Sequence, residues 1–448
     1  MIRLWGITNP PLEVAHSWRQ TTVCMVARNF IEVDANPFYP RIDIAGEKSG
    51  ITGMEFPVLN YLIFLFAKVF GYQHWYGRLI NLMISTIGIF YFFKLVKRYF
   101  DKELAFNASI ILITSIWFAY SRKIMPDTFA SSLAIMSIYY GSAYFENKSK
   151  YINILLYFVF GLLSILSKLP VIFLFSIFVL FVFQNKYSVK SRILFVISSI
   201  IMLIPIYWWY WIWVPYLVRE FDFWHFFMGK SIRVGFNEIF SQWPLALKLW
   251  YADAIKYIAF VFFILGLFFI IKNKKLIALF TVLLISFLAI VFSAGNTFVR
   301  HSYYIIPYVP IMAIISAYGL QQLRNQKLIM IIIIIISIEG IANQFQDFYI
   351  HDNGKAIINL EADLDQFCKP NDLITINSNA NPAPMYFAHR KGFIASNNQL
   401  IDSSFINSIR NSGCKYIIIL KQNYGTEVEL QQELLLENKD YNIYRIKN

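Results

Sequence analysis

Charge is scarce in this 448-residue chain: Asp, Glu, Lys and Arg together make up 15% of it, where a soluble domain carries about 25%. With 57% hydrophobic residues and a mean hydropathy of +0.51, the shortage excludes an ordinary soluble domain and points to a polytopic membrane protein. Cysteine is scarcer still. Cys24, Cys368 and Cys414 form no CxxC and no metal-ligand spacing. Cys368 and Cys414 would pair only in an oxidising compartment, and we read them as unpaired small apolar residues. The first residues lack the basic-then-apolar pattern of a cleavable signal peptide.

The net charge of +13 comes from 40 Lys and Arg against 27 Asp and Glu. The cations sit in short clusters between apolar runs rather than along one face, which excludes a nucleic-acid binder and reports membrane topology instead. Ten apolar stretches are long enough, or nearly so, to span a bilayer: 76–98, 104–121, 127–146, 151–167, 169–185, 192–213, 254–272, 275–294, 303–322 and 327–343. The pair around "SILSKLPVIF" reads either as two short antiparallel helices broken at Lys168–Pro170 or as one kinked helix.

Alternate loops carry Lys94, Lys97, Arg98 and Lys102, then Lys148 and Lys150, Lys186, Lys190 and Arg192, Lys272, Lys274 and Lys275, and Arg324 and Lys327. The positive-inside rule assigns these to the cytoplasm. Residues 1–55, 214–253 and everything after about 345 then fall outside. The short apolar stretch 57–70, following "GMEFP", reads as an interfacial or re-entrant helix. The Trp- and Phe-rich 214–253 loop reads as an amphipathic segment at the membrane surface. An outside start at Met1 leads us to expect one more span upstream.

The tail changes character. "NDLITINS" and "CKYIIIL" are short β-branched runs, whereas "KAIINLEADLDQF" and "SSFINSIRNS" have helical periodicity. Their alternation suggests a small α/β domain with a largely parallel sheet. No Gly-rich phosphate loop opens its helices, which argues against nucleotide binding. The expected organisation is thus a membrane domain over 1–345, with outer segments 1–75 and 214–253, and an extracytoplasmic α/β domain over 346–448.

Ionisable residues at the outer face are the candidates for chemistry, because charges at membrane depth are costly unless paired or functional. In "EVAHSWRQTT" a helix would align Glu13, His16 and Gln20 on one face with Arg19 at its edge. It is either a solvated surface helix or one wall of an active site. Glu55 in "GMEFP" is either favoured by the dipole of the helix it starts or an acid, base or metal ligand. In "SRKIMPDTF", Asp127 reads as a helix cap, while Arg122 and Lys123 bind an anion or lie among lipid headgroups. Lys168 either snorkels to headgroups or supplies a point charge for a phosphate. An aromatic belt explains Tyr303 and Tyr304 in "FVRHSYYIIPYVP" but not Arg300 and His301, for which we favour function.

Together these patterns resemble a known family, the GT-C membrane glycosyltransferases that include dolichyl-phosphate-mannose–protein mannosyltransferases and bacterial lipid A aminoarabinose transferases. "VARNF" followed by "EFPVLNYLI" is similar to the family's first outer loop. "YGRLINLMISTIGIFYFFKLVKRYFD", led by Arg78, resembles the span after it. "SRKIMPDTFA" is similar to the second outer loop, "LSKLP" to a Lys-Gly-Pro break, and "RHSYYIIPYVP" to a Tyr-rich start of a late span. Two departures stand out. The family's acidic pair falls where this chain has Arg19 and Gln20, and the family's first transmembrane helix is missing.

The resemblance implies a GT-C-type α-helical polytopic membrane protein, with about ten or more spans and a small C-terminal α/β extracytoplasmic domain. It implies transfer of a sugar from a polyprenyl-phosphate donor to an acceptor hydroxyl on a glycan, lipid or protein, with inversion, at the outer face of the cytoplasmic membrane. The base would come from Glu13, His16, Asp43 and Glu55, with Glu55 the best match to the family's pattern. Asp127 would orient the acceptor or the base. Lys168, Arg300 and Arg19 would bind phosphate, with Gln20, Arg78, Arg122, His301 and Tyr304 lining the substrate site. No cofactor is required, and no spacing demands a divalent metal. A lipid-linked sugar transporter and a catalytically inactive scaffold of the same fold are the alternatives.

Overall fold

The computed structural model describes residues 2–146, 150–223, 229–421 and 428–447. Met1, Lys148 of a basic loop and residues 224–228 of the aromatic outer segment lie outside the described residues. The chain forms two compact units. A helical unit comprises Met1–Trp5, Arg78–Ile212 and Phe227–Gln346; a mixed unit comprises Gly6–Gly77, Trp213–Phe226 and Asp347–Asn448. The first outer segment therefore folds together with the tail.

Helix covers each of the ten apolar stretches, but not each as an unbroken span. Among the described residues five helices are long and apolar enough to cross a membrane, or six if the pair Trp243–Ala254 and Tyr257–Lys272, bent by 104°, is one span. Of the others, 127–146 forms the unbroken helix Pro126–Phe145, and the rest are shortened by identifiable breaks. The helix Lys102–Thr114 stops where Ser115 Oγ bonds back to Leu112 O at 2.6 Å. Carbonyls exposed by such a break need donors when water is absent. Gln344 supplies them, its Nε2 donating to Thr114 O (3.2 Å) and Ser115 O (2.9 Å).

Lys168 resolves the "SILSKLPVIF" question. Helix Lys150–Ser167 ends there, Lys168 is extended (φ −159°, ψ 101°), and a 3₁₀ helix, Leu169–Phe178, follows. Pro170 has no N–H to continue an α-helical ladder, so the run becomes two short helices. The helix Val58–Phe70 has 13 residues and is too short to span. It buries Leu59, Ile63 and Phe64 while leaving Leu65, Val69 and Phe70 exposed, as a helix lying in an interface would.

Two helices of the helical unit, Tyr257–Phe269 and Val309–Gln321, pack through reciprocal glycines. A Cβ on Gly266 would lie 2.1 Å from Ile315 O, and one on Gly319 would lie 2.1 Å from Phe262 O. Small residues at helix contacts let apolar helices approach closely where no hydrophobic effect drives them together.

In the mixed unit, strands β1 (Leu373–Ile376), β2 (Gly392–Ile394), β3 (Cys414–Leu420), β4 (Glu433–Glu437) and β5 (Tyr441–Arg445) form one sheet in the order β2-β1-β3-β5-β4. The first three are parallel, but β3–β5 and β5–β4 are antiparallel. The sheet is therefore mixed rather than largely parallel, because a closing hairpin through Asn438–Asp440 adds the last two strands. Ile374, Ile376, Ile417 and Ile443 are fully buried, the pattern of central strands covered on both faces. Cys368 and Cys414 are free, buried thiols.

Residues from the first outer segment fasten to the tail domain. The Arg28 guanidinium sits 4.7 Å from the Tyr386 ring centroid, donates to Tyr386 O at 3.0 Å and pairs with Asp43 at 2.9 Å. His389 bridges two acids, Nε2 lying 2.9 Å from Glu32 Oε1 and Nδ1 2.5 Å from Glu361 Oε1. With a carboxylate at each nitrogen, the doubly protonated imidazolium is the matched form.

Two predictions follow from this packing. Gly319→Leu should lower the unfolding temperature of the detergent-extracted protein, since overpacking costs roughly 1–3 kcal/mol; an unchanged melting curve would mean the helices are not in contact here. The second concerns pH. Hydrogen bonding to Glu32 raises the His389 pKa above 6.5, against burial and Arg28, with Glu361 assisting. Burial raises the Glu32 pKa, but His389 and Arg28 outweigh it and leave it below 4.5. The His389 contribution is complete below about pH 6.5 and is lost as pH rises through the raised value, while the Glu32 contribution is lost only at acid pH. The difference in melting temperature between wild type and His389→Gln should be larger at pH 5.5 than at pH 9, and an equal difference at both would refute the bridge.

Candidate functional site: two buried carboxylate–cation pairs

The stretch Glu13–Thr22 is not one continuous helix. Ala15 (φ 63°) and His16 (φ 62°) both adopt the left-handed conformation, so the helix Ser17–Glu32 starts only after them. Such backbone is uncommon for residues with a Cβ. Glu13 consequently lies upstream of the helix, off the face it was expected to share with His16 and Gln20. The solvated-helix reading also fails, since Arg19 is 7% exposed and Gln20 fully buried.

Arg19 points to Glu55. Its Nη2 forms an ion pair with Glu55 Oε1, both side chains being buried. Glu55 itself precedes the helix Val58–Phe70, whose N-cap is Pro57, so a guanidinium rather than a helix dipole holds its charge. Glu55 Oε2 accepts no hydrogen bond from any described residue. Leaving a buried acceptor unmet costs roughly 1–3 kcal/mol, and a carboxylate that keeps one free lone-pair face can still receive a proton. Glu13 is nearly inaccessible and accepts from Asn9 Nδ2 at 3.3 Å. Asp43 has both oxygens engaged, by Arg28 (2.9 Å) and by Asn29 Nδ2 (2.7 Å). Asp43 is therefore held by the fold on both oxygens.

The helical unit contains a second pair. Asp127 Oδ1 lies 3.2 Å from Lys168 Nζ, and the two side chains are 2% and 3% exposed. Asp127 is not the helix cap: Met125 occupies that position, Pro126 follows, and Asp127 stands in the first turn. Lys168 does not snorkel to headgroups either. The rings of Tyr303 and Tyr304 lie 4.9 and 5.3 Å from its Nζ, close enough for cation–π attraction. Asp127 Oδ2, like Glu55 Oε2, accepts no hydrogen bond from a described residue.

The neighbours of this pair are sorted by burial. His301 stacks on Tyr303 at 5.2 Å, and Tyr303 on Tyr304 at 5.1 Å. Arg300, expected beside them, is exposed instead, because the short helix Asn296–Arg300 ends there and turns its last side chain outward. Arg122 and Lys123 are buried rather than among headgroups, with Arg122 Nη1 donating to Trp5 O at 2.5 Å. Arg78 is fully buried.

Sequence reasoning missed Asn81. Its Nδ2 donates to Tyr120 O (3.0 Å) and Lys123 O (2.7 Å), and its Oδ1 accepts from Thr128 Oγ1 at 3.1 Å. One side chain thereby shapes the turn that delivers Asp127. A lone Asn within the apolar span "RLINLMIS" was the available signal. Tyr72, His74 and Tyr386 were also missed; in the mixed unit the Tyr386 hydroxyl lies 2.7 Å from that of Tyr72 and 2.6 Å from His74 Nδ1. Among the described residues no three His, Cys, Asp or Glu side chains gather to hold a metal ion.

Residues 55–211 match the profile of a family described as dolichyl-phosphate-mannose-protein mannosyltransferase, and that segment carries Glu55, Asp127 and Lys168. No curated protein matches the sequence significantly. Among solved structures the chain is similar to ArnT from Cupriavidus metallidurans in the apo state, at 11% identity and a TM-score of 0.60, covering 99% of this chain and 95% of that one. The same protein bound to undecaprenyl phosphate gives 9% identity, a TM-score of 0.61, and 99% and 96% coverage. The archaeal oligosaccharyltransferase AglB from Archaeoglobus fulgidus, in complex with an inhibitory peptide and a dolichol-phosphate, gives 12% identity, a TM-score of 0.55, and 94% and 68% coverage. At these identities the likeness is one of fold, and the fold is the GT-C fold that the sequence resemblance implied.

The buried pair makes a stability prediction. Removing one partner strands the other charge, at about 3–5 kcal/mol, whereas replacing both does not. Lys168→Met should therefore melt at lower temperature than the double variant Asp127→Asn/Lys168→Met. Equal losses in the two proteins would mean that the residues do not interact.

Proposed function

We propose that the chain is a membrane glycosyltransferase that moves a sugar from a polyprenyl-phosphate donor to an acceptor hydroxyl at the extracytoplasmic face of the cytoplasmic membrane, with inversion. The single observation that carries this reading is the pair of buried carboxylate–cation couples, Glu55–Arg19 and Asp127–Lys168. They occur on a fold whose solved example ArnT binds undecaprenyl phosphate.

The chemistry asks for two things, and these residue types supply them. A hydroxyl oxygen attacks the anomeric carbon while the bond from that carbon to the phosphate oxygen breaks. The hydroxyl proton needs a base, and the departing polyprenyl phosphate gains negative charge that needs a cation. We assign proton abstraction to Glu55, whose Oε2 accepts no hydrogen bond from a described residue. Lys168 is assigned to the phosphate, with Asp127 fixing its position. Arg19 keeps Glu55 in place; His16, Glu13 and Gln20 are proposed as substrate-binding residues of the mixed unit, and Arg78, Arg122, His301 and Tyr304 as those of the helical unit. Arg300, being exposed, would meet the donor before it is buried. The charge that develops is met by Lys and Arg, so the reading needs no cofactor.

Transfer should be measured with purified protein and a panel of polyprenyl-phosphate sugars, alongside native mass spectrometry of donor retention. Glu55→Gln should lose at least about a hundredfold in transfer rate, the usual contribution of a general base, while still retaining donor. Lys168→Met should lose donor retention itself. Full transfer by Glu55→Gln would overturn the base assignment. Wild-type protein that retains donor but transfers nothing to any hydroxyl acceptor would favour a transporter or an inactive scaffold.

A further inference from the structure

A cavity of about 400 Å³ lies within the helical unit, away from the Asp127–Lys168 pair. Its walls are apolar, with Val96, Ile138, Leu174, Leu279 and Ile311 among them. At one end they give way to Lys186, Lys274 and Lys275. A neighbouring cleft of about 350 Å³ shares Lys274 and Lys275 and adds Lys272 and Asn273. All four lysines stand exposed at this rim. None forms an ion pair among the described residues.

The acids nearby are already occupied. Glu146 is 3.6 Å from Arg98 and accepts from the Tyr99 hydroxyl at 2.9 Å. Asp101 lines the cleft, but its Oδ1 accepts from Leu104 N at 2.8 Å and from Gln321 Nε2 at 3.1 Å. Four lysines against Asp101, the one carboxylate among the described residues lining the two spaces, leave the rim with a net positive charge and an apolar chamber behind it. Lys274 and Lys275 also open the helix Lys274–Ala294, whose N-terminal dipole adds to the attraction for an anion.

We propose that this cavity is a binding site for an acidic phospholipid of the bilayer, its acyl chains between the apolar walls and its headgroup phosphate at Lys186, Lys274 and Lys275. Charge complementarity selects the occupant: a neutral lipid would fill the walls and leave the lysines unmet, and a soluble anion would leave the walls unfilled. The donor headgroup is a different ligand. The 21-residue helix Lys274–Ala294 separates the lysine rim from Arg300, a distance of about 30 Å at the usual rise per residue. The rim belongs to the loops that the positive-inside rule assigns to the cytoplasm, so the lipid would come from the leaflet opposite the proposed chemistry. This inference does not depend on the proposed reaction.

Full-length, delipidated protein in detergent should be titrated with phosphatidylglycerol and with phosphatidylcholine of the same acyl chains, and bound lipid counted by native mass spectrometry. One phosphatidylglycerol should bind saturably, at least about tenfold more tightly than phosphatidylcholine. Lys186→Gln/Lys274→Gln/Lys275→Gln should remove that preference and leave the melting temperature unchanged, because these side chains are exposed. Ala278→Trp, which narrows the chamber without touching charge, should weaken both lipids. Equal binding of the two lipids, unsaturable adducts, or undiminished phosphatidylglycerol binding by the triple lysine variant would each overturn the proposal.

Discussion

The ion pair between Asp127 and Lys168 is what allows an apolar run to be interrupted inside the helical unit. A lysine between Ser167 and Leu169 has nowhere to go in a low-dielectric interior unless a carboxylate meets it. Because Asp127 does so at 3.2 Å, the helix Lys150–Ser167 can end at membrane depth and a 3₁₀ segment can follow. The carboxylate in turn has to be delivered there. The turn before it is held by Asn81, and the aromatic pair Tyr303 and Tyr304 closes over the ammonium. Break, turn and aromatic cover are consequences of one buried charge.

The mixed unit meets the same constraint with different residues. Arg19 is buried at the start of a helix and has Glu55 as its counter-ion; Arg28, nine residues on, is buried beside Asp43. Of these two arginines, only the second has its acid tied up on both oxygens. The two acids are held differently: Asp43 accepts hydrogen bonds on both oxygens, and Glu55 on one among the described residues. Residue type does not distinguish them, since both are carboxylates of the same outer segment paired to arginine. Geometry does.

That contrast also marks where sequence reading succeeds and where it stops. Apolar runs located the helices of the ten apolar stretches, because hydrophobicity is summed over many residues. Lys168 was legible as a break or a kink, since a charge followed two residues later by Pro disturbs a helix, and the structure shows the break. The positions that escaped were set by single contacts. Left-handed backbone at Ala15 and His16 moved Glu13 off the helix, and nothing in their residue types announces that conformation. Met125 took the cap expected of Asp127, and the hairpin of β4 and β5 escaped because "ELLLE" and "YNIYR" lack the β-branched density of β1 and β3. The breaks at Ser115 and Lys168, which shorten three of the ten apolar stretches, are local events that averaged hydropathy cannot resolve.

Buried polar side chains therefore fall into two kinds with different physical signatures. Asn81, Gln344 and Arg98 direct their polar groups at backbone carbonyls or at acids already matched to them, and each repairs a break or joins two helices. Asp127 and Glu55 are held on one oxygen by a cation and accept nothing on the other from a described residue. A fold selected for stability alone would close that second oxygen with a hydroxyl or an amide, at a gain of roughly 1 kcal/mol or more. In the proposed reaction the reacting hydroxyl would make that last hydrogen bond at Glu55, while Asp127 holds Lys168 in place.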